Sequence, residues 1–217
     1  MSKSTINPSK NCALCPRLKS YIDEQKLKYD DWHNAPVPSF GSVQSKLLIV
    51  GLAPGLKGAN RTGRPFTGDH AGDLLYSTLA KFGFSKGVFL GEADDGLELV
   101  DCRITNAVRC VPPENRPTGK EVNTCAPFLV NEIAAMENLK VILALGGLSH
   151  GATLKILGEK KSHWKFAHNR AHRLQNGLTL VDSYHCSRYN TNTGKLTTDM
   201  LEDVFKRITH ILNDEKG

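Results

Sequence analysis

Short apolar runs alternate with segments of helical periodicity along this chain, and this alternation is the feature that most constrains its fold. Four apolar runs predict buried strands, at residues 46–50, 99–108, 141–145 and 178–183. Apolar residues at helical spacing predict the intervening helices, at residues 73–84, 120–139, after 147 and from 201 to 212. Strands that alternate with helices favour a mostly parallel sheet covered on both faces. We therefore predict an α/β fold with a central four-stranded, mostly parallel sheet flanked by helices.

The length of 217 residues fits one domain at roughly 100–200 residues per domain. We predict a single domain over residues 1–217, with residues 1–45 forming an N-terminal extension that contributes two cysteines. No stretch approaches the roughly 20 apolar residues of a membrane span. The first ten residues are polar and lack the apolar segment of a secretory signal. We expect a cytoplasmic protein that does not bind membranes.

The charge balance favours a polyanionic partner. Lysine and arginine number 28 against 22 acidic residues, a net charge of +6. Residues 155–173, called the basic segment below, contain six basic side chains and the single acid Glu159. A second basic run, Lys57, Arg61 and Arg64, lies in a glycine-rich region. We predict a nucleic-acid partner, and two solvated loops are the alternative interpretation.

Six cysteines in a chain without an export signal indicate a reducing compartment, where metal binding or catalysis is more common than disulfides. Cys12 and Cys15 form a C-x2-C pair, and fourteen residues separate Cys110 from Cys125. Four thiolates can hold zinc or an iron–sulfur cluster, and spacing does not decide between them. Scattered buried thiols remain an alternative at this stage.

A glycine-rich loop follows the first predicted strand and raises the question of phosphate binding. The Walker pattern requires Gly-Lys-Ser/Thr, but here Gly63 is followed by Arg64 and Pro65. Proline also removes a backbone amide that could bind a phosphate. The loop is therefore not a P-loop, which argues against a nucleotide hydrolase.

Four side chains near predicted strand ends are candidates for a common site, because ligands bind at the carboxyl ends of parallel strands. Phe66 offers a flat ring for stacking, although it can equally anchor its loop in the core. Asn106 offers a donor and an acceptor that match an imide edge, or it caps a turn. His185 lies in a polar loop suited to an anionic leaving group. Asp69 precedes a helix and is either an N-cap or a functional carboxylate.

Four motifs containing these residues resemble a known family in combination and in order. They are Gly-Leu-Ala-Pro-Gly at 51–55, Asn-Arg-Thr-Gly-Arg-Pro-Phe-Thr-Gly-Asp at 60–69, Thr-Asn-Ala-Val-Arg-Cys at 105–110 and Tyr-His-Cys-Ser-Arg-Tyr-Asn at 184–190. Together they resemble the uracil-DNA glycosylase superfamily, specifically family 5, the type-b enzymes with an iron–sulfur cluster. The resemblance extends from Cys12 to the last helix and implies the uracil-DNA glycosylase fold.

The resemblance also implies roles for individual residues. Phe66 is expected to stack on an extruded base, Asn106 to bind its polar edge, His185 to contact the pyrimidine carbonyl, and Asp69 to activate water. The implied ligands of a 4Fe–4S cluster are Cys12, Cys15, Cys110 and Cys125.

Further expectations concern the base pocket and the DNA backbone. Gly51 and Ala53 are expected to border the base, and Ala53 replaces the Asp, Glu or Asn that related glycosylases often have in this motif. The smaller side chain leaves room for larger bases. The predicted contacts to the DNA backbone are Arg61, Arg64, Lys161 and Arg188.

The implied function is DNA repair by a monomeric glycosylase. Such an enzyme flips uracil out of DNA and hydrolyses its N-glycosidic bond, with hypoxanthine and xanthine as further expected substrates. No lysine is indicated as a Schiff-base nucleophile, so strand cleavage is not expected. The alternative is a non-catalytic iron–sulfur or zinc module that binds nucleic acid. The joint presence of Asp69, Asn106 and His185 at three separate strand ends argues against that alternative.

Overall fold

A five-stranded sheet forms the centre of the structure, a computed structural model that describes residues 5–214. The strands are β1 (Leu47–Gly51), β2 (Ser85–Lys86), β3 (Glu98–Leu99), β4 (Cys102–Asn106), β5 (Val141–Leu145), β6 (Ala171–Arg173) and β7 (Thr179–Ser183). The central sheet has the order β4-β1-β5-β7-β6, in which the first four strands are parallel and β6 is antiparallel to β7. Strands β2 and β3 form a separate antiparallel pair.

Helices cover both faces of this sheet. They are α1 (Pro16–Lys28), α2 (Ala59–Thr62), α3 (His70–Lys81), α4 (Gly119–Ala135), α5 (Gly147–Ile156), α6 (Arg188–Asn192) and α7 (Thr198–Asp214). Alternate residues of β1 point to opposite faces, as a pleated strand requires. Leu47 and Ile49 pack in the core that includes α3 and α7, whereas Leu48 and Val50 pack in the core that includes α4 and α5. The α/β class predicted from the sequence is confirmed.

The prediction of four strands in the sheet was one too few. The missed strand, β6, has three residues, and only the central one, His172, is buried. It lies within the basic segment, where its charged neighbours resemble a solvated loop. Strand β4 is also shorter than the predicted 99–108: Asp101 just before it has a left-handed φ of 50°, and the chain bends at residues 107–108.

The helix predictions rest on local signals that the structure retains. Thr118 caps α4: its side chain accepts from the amide of Glu121, and the Glu121 carboxylate accepts from the amide of Thr118 at 2.7 Å. The apolar stripe on α7 packs into the core, with Leu201, Val204 and Phe205 fully buried. Each such side chain contributes about 1.5–3 kcal/mol when removed from water.

The predicted N-terminal extension contains α1, whose Leu18 and Ile22 are buried. Residues 1–4 of that extension lie outside the described residues. Across residues 5–214, no helix is long and apolar enough to cross a membrane.

A buried ionic network joins β4 to α4. Glu132 accepts from Arg103 Nε and from a terminal nitrogen of Arg109, both at 2.6 Å. Burial by itself raises the pKa of Glu132, but the two guanidinium groups outweigh it and hold this pKa below its ordinary value. Arg109 also donates to Asn7 and Ser39, so the network ties the N-terminal extension to the sheet.

Candidate active site

A cavity of about 890 Å³ opens at the carboxyl ends of the parallel strands. The loop after β1, the end of β4, the start of α5 and the loop after β7 all contribute to its wall. Parallel topology brings these strand ends to one edge, where α/β proteins bind their ligands. The structure brings together four predicted side chains in this wall: Phe66, Asp69, Asn106 and His185. Ala53 lines the same cavity.

Asn106 ends β4 and presents an unpaired acceptor in this wall. Its side chain is 3% exposed, and its Oδ1 atom has no hydrogen-bond partner within residues 5–214. A buried acceptor without a hydrogen bond costs about 1–3 kcal/mol of stability, so a ligand that donates to this atom would recover that free energy. Asn106 lies opposite Gly51 in the β1–β4 register, and a Cβ at position 51 would lie 2.3 Å from Oδ1. Only glycine therefore fits at position 51.

Phe66 reaches the same point from the glycine-rich loop. Its Cζ atom would lie 2.7 Å from a Cβ at position 51, and its ring centroid is 5.8 Å from that of His185. The residue has a left-handed φ of 52°. For a non-glycine residue this conformation costs of order 1–3 kcal/mol and is concentrated at functional sites. The ring is both packed in the core and exposed to the cavity, so the two sequence interpretations are compatible.

Asp69 divides its two oxygens between structure and cavity. Oδ1 accepts from the amide of Ala71 at 3.1 Å and caps α3. Oδ2 faces the loop after β1, where a Cβ at Gly58 would lie 2.2 Å away and one at Gly55 would lie 3.0 Å away. Burial raises the pKa of this carboxyl group, and the amides of Ala71 and Gly72 oppose that rise. The N-cap and the cavity carboxylate are thus the same residue.

His185 follows β7 and faces the cavity as a neutral ring. Burial lowers its pKa from the ordinary value of 6.5, so the imidazole is uncharged at neutral pH. Its ring nitrogens have no hydrogen-bond partner within residues 5–214, whereas its backbone carbonyl accepts from Asn190 Nδ2 at 2.8 Å. The ring can therefore donate one N–H to a ligand without introducing a charge.

One predicted DNA contact is corrected by the structure. The Arg64 side chain is 4% exposed and forms two hydrogen bonds of 2.7 Å to the carboxylate of Asp95. Its guanidinium also lies within 5.6 Å of three aromatic ring centroids, those of Phe40, Tyr76 and Phe89. Arg64 is a buried structural residue and does not reach a DNA backbone.

The other three residues predicted to contact the DNA backbone are accessible to solvent. Arg188 is exposed and lines the cavity. Arg61 is partly exposed and pairs with Glu92 at 3.0 Å. Lys161 is exposed beside α5, with Nζ 3.3 Å from the Cβ position of Gly151, and it lies outside the cavity wall.

Four cysteines with free thiols line a second, smaller cavity between the N-terminal extension and α4; they are Cys12, Cys15, Cys110 and Cys125. Burial and the neighbouring cysteines raise the pKa of Cys110 to about 12. The remaining two, Cys102 and Cys186, are buried in the core beside α3 and α7. The four cysteines that the family resemblance implied as ligands thus lie around one cavity, and the other two lie elsewhere.

The spacing of the four sulfurs bears on the metal they fit. Within residues 5–214, only His150, His172 and Asp182 present three ligand atoms that all lie within 4.8 Å of one another. No three of the four sulfurs are that close, although a tetrahedral Zn²⁺ with bonds of about 2.3 Å holds its thiolates about 3.8 Å apart. Four thiols around one cavity are a donor set that both zinc sites and iron–sulfur clusters use. The backbone amide of Arg109 also donates to Cys125 Sγ at 3.4 Å.

Sequence reasoning missed several cavity residues. Asn115 lines the cavity from the connection between β4 and α4, in a left-handed conformation with φ 56°. His70 lines it as well, and its Nε2 lies 2.9 Å from Thr191 Oγ1. The glycine pair that follows β5, residues 146–147, was a usable signal because it comes directly after a predicted strand. Nothing local marks Asn115, which reaches the cavity only through the path of a long connection.

A parallel sheet with these four side chains at its carboxyl edge has counterparts among known families. A model of the Uracil DNA glycosylase superfamily matches residues 38–209, a span that contains the whole sheet and every side chain of the cavity wall discussed above. The chain therefore belongs to the uracil-DNA glycosylase superfamily.

Individual relatives narrow this placement. The Type-5 uracil-DNA glycosylase of Pyrobaculum aerophilum is 40% identical over 93% of this chain and 89% of its own length. The Type-5 enzyme of Thermus thermophilus is 40% identical over 89% of this chain and 90% of its own. The Type-5 enzyme of Mycobacterium leprae is 41% identical over 90% of this chain and 89% of its own length. The chain groups with the type-5 members of the superfamily, as its motifs predicted.

Proposed function

We propose that the protein is a DNA-repair glycosylase that hydrolyses the N-glycosidic bond of uracil in DNA and leaves an abasic site. The observation that supports this most directly is the convergence of Asp69, Asn106 and His185 on one cavity. The names of the type-5 relatives agree with it. Hypoxanthine and xanthine are proposed as further substrates, because Ala53 leaves space in the wall where a larger side chain would reduce it.

Recognition begins with extrusion of the nucleotide, since a base inside a duplex is inaccessible. Flipping costs a few kcal/mol, which interactions in the cavity must offset. The Phe66 ring stacks on the flat base, and the unpaired Oδ1 of Asn106 accepts from its imide N–H. This hydrogen bond satisfies the atom that is left without a partner among the described residues of the free protein.

The leaving group is stabilised by His185. As the C1′–N bond breaks, its electron pair goes to the base, which departs as an anion. The neutral His185 ring donates an N–H to the pyrimidine carbonyl oxygen on which this charge develops. A preorganised donor of this type contributes roughly 3 kcal/mol to transition-state stabilisation.

The attacking water is handled by Asp69. Its free Oδ2 atom accepts a proton from the water as the oxygen bonds to C1′, and its negative charge favours the cation-like sugar. The released base then takes up a proton, which balances the reaction. Because water is the nucleophile, no amine–sugar intermediate forms, and the enzyme is monofunctional.

The DNA partner is held by exposed basic side chains. Arg188 lines the cavity, and Arg61 lies on α2, whose first residue, Ala59, lines the same cavity. Lys161 extends the interaction along the basic segment. Such interactions with phosphate fix the register of the duplex and do not read its sequence. We propose that the protein acts as a monomer in the cytoplasm, on the DNA of the nucleoid.

We also propose that the four cysteines of the smaller cavity hold a 4Fe–4S cluster. Its function when bound is structural: it links the N-terminal extension to the segment between Cys110 and Cys125. Purified protein should be brown, with absorption near roughly 400 nm and about four irons per chain. Cys110→Ser should lower the iron content. Cys102→Ser should not, because Cys102 lies in the core beside α3 and α7, away from the cysteine cavity. Colourless protein with one zinc would contradict the cluster.

Base release from duplex oligonucleotides tests the function itself. Each duplex contains a single uracil, hypoxanthine or xanthine, and an undamaged duplex serves as the control. We expect free uracil and an abasic strand that breaks only after alkali. Tight binding without base release would instead support the non-catalytic nucleic-acid-binding module.

A further inference from the structure

A buried group of three ionisable side chains lies outside the cavity wall and has no part in the mechanism above. His150 of α5, Asp182 of β7 and His172 of β6 are 0%, 0% and 6% exposed. His150 Nδ1 lies 2.7 Å from Asp182 Oδ1, and His172 Nε2 lies 2.9 Å from Asp182 Oδ2. Two histidines on different elements therefore meet at one carboxylate.

The hydrogen-bond partners determine how many protons this group holds. His150 Nε2 is 2.8 Å from the backbone carbonyl of Trp164, which can only accept, so Nε2 must be protonated. If His150 held no other proton and Asp182 were ionised, two lone pairs would face each other between Nδ1 and Oδ1. One further proton must lie between these two atoms. The pair His150–Asp182 therefore carries no net charge, with the proton shared inside it.

The hydrogen bonds of this pair converge on the basic segment. The Trp164 carbonyl accepts from His150, the amide of Ala167 donates to Asp182 Oδ2 at 3.3 Å, and His172 bonds the same oxygen. Three points along residues 164–172 are thus attached to one buried pair. The first turn of α5, which precedes His150, lines the cavity.

We propose that His150 is a positioning residue: through the proton it shares with Asp182, it fixes the basic segment relative to the cavity, so that the exposed lysines of the segment meet the phosphates beside the flipped nucleotide. This inference rests on the proposed function, because it concerns the same DNA. His150 itself touches neither the base nor the sugar. Its effect is exerted on DNA affinity and on how many phosphates the protein neutralises.

Two substitutions each retain one of the two bonds of His150. His150→Gln keeps a donor near the Trp164 carbonyl but removes the one that faces Asp182. His150→Asn keeps a donor towards Asp182 but is too short to reach Trp164. His210→Gln is the matched control, because His210 is exposed on α7.

The measurement is the dissociation constant for undamaged and uracil-containing duplexes over a range of salt concentrations. In both variants we expect the slope of log affinity against log salt to fall by about 0.9 for each phosphate that the protein no longer neutralises. Affinity rises when the salt concentration is lowered from 1 M to 0.1 M. By the same relation, each phosphate contact that a variant loses makes this rise about eightfold smaller. Single-turnover base release at saturating DNA should change little, and the control should match the wild type throughout.

Two outcomes overturn the proposal. One is a folded His150 variant with an unchanged salt slope, which would show that the segment needs no such anchor. The other is available even if both variants fail to fold: nitrogen NMR of the wild-type protein at neutral pH must show a protonated Nε2 on His150, and an unprotonated Nε2 contradicts the proton count. Undamaged DNA keeps this test separate from the proposed function, which fails only if the wild type does not release uracil.

Discussion

The Asn106 amide of the cavity and the Glu132 carboxylate of the Arg103–Glu132–Arg109 network are similarly shielded from water, but they differ in their pairing. Asn106 is 3% exposed and Glu132 is 0% exposed. Both oxygens of Glu132 accept from guanidinium groups at 2.6 Å, whereas Oδ1 of Asn106 has no partner within residues 5–214. The two side chains are therefore similarly buried, but the oxygens of Glu132 are hydrogen-bonded and Oδ1 of Asn106 is not.

The difference indicates where a fold keeps capacity for a ligand. A buried polar group that is fully paired stabilises the native state and leaves nothing for a substrate. An unpaired one reduces stability until a ligand supplies its partner. Substitutions in the two regions should consequently have separable effects, with activity lost at the cavity and stability lost at the network.

The largest effect is expected for Asp69→Asn. Base release should fall about 10²–10⁴-fold, because asparagine cannot accept the proton of the attacking water. Affinity for uracil-containing DNA and the melting temperature should stay near their wild-type values, since asparagine caps a helix as well as aspartate does. Single-turnover rates, equilibrium binding and thermal unfolding measure the three quantities. A near-normal rate would remove Asp69 from the mechanism and leave it only as a cap.

Glu132→Gln should have the opposite pattern. The substitution leaves two buried guanidinium groups without a negative partner, which costs about 3–5 kcal/mol of unfolding free energy. Urea denaturation measures this loss. Under conditions where the variant is fully folded, its rate of base release should remain close to the wild-type rate. A large catalytic defect in the folded variant would show that the network is not purely structural.

The arginines at positions 61 and 64 form a pair that sharpens the comparison within one loop. Arg64→Ala should reduce the unfolding free energy by about 3 kcal/mol, because it leaves Asp95 buried without its cation. Arg61→Ala should change stability by less than about 1 kcal/mol, since its pair with Glu92 is exposed to solvent. Arg61→Ala should instead weaken DNA binding and lower the salt slope by about 1. Equal effects of the two changes on stability would contradict the assignment.

The smallest effect concerns the pH dependence of stability. Burial lowers the pKa of His185 in the folded state, so below pH 6.5 the unfolded chain binds a proton that the folded protein does not. The free energy of unfolding should thus fall as the pH drops below 6.5, by at most about 1.4 kcal/mol per pH unit from this group. Above pH 6.5 the contribution of His185 to stability is fully present. The difference between the wild type and His185→Gln isolates this contribution. Parallel curves for the two proteins would show that His185 is not desolvated.

Sequence patterns predicted what local rules determine. Strand β5 lies at the residues expected from its apolar run, and α4 begins within one residue of the start predicted from helical periodicity. The convergence of Asp69, Asn106 and His185 also followed, because parallel strands end at one edge. These features depend on neighbours within a few residues or on the topology as a whole.

The features that were missed depend on particular distant partners. Strand β6 is defined by pairing with β7 and by the hydrogen bond of His172 with Asp182, which a window of charged residues does not reveal. Arg64 is buried because Asp95 lies 31 positions away in sequence but beside it in space. In both cases a charged side chain looked like surface because its partner was not visible locally.

The short path from Asn106 to Cys110 makes the two cavities mechanically dependent. The strand ends at Asn106, yet the amides of Ala107 and Val108 still donate to the carbonyls of Gly51 and Leu52 at 2.9 Å. Four residues span at most roughly 14 Å, and this segment bends at residues 107, 108 and 110, so Asn106 and Cys110 lie closer than that limit. Because these two hydrogen bonds hold the segment against the loop after β1, an inserted or deleted residue here would shift either the Asn106 side chain or Cys110. A change of length at one cavity would therefore be felt at the other.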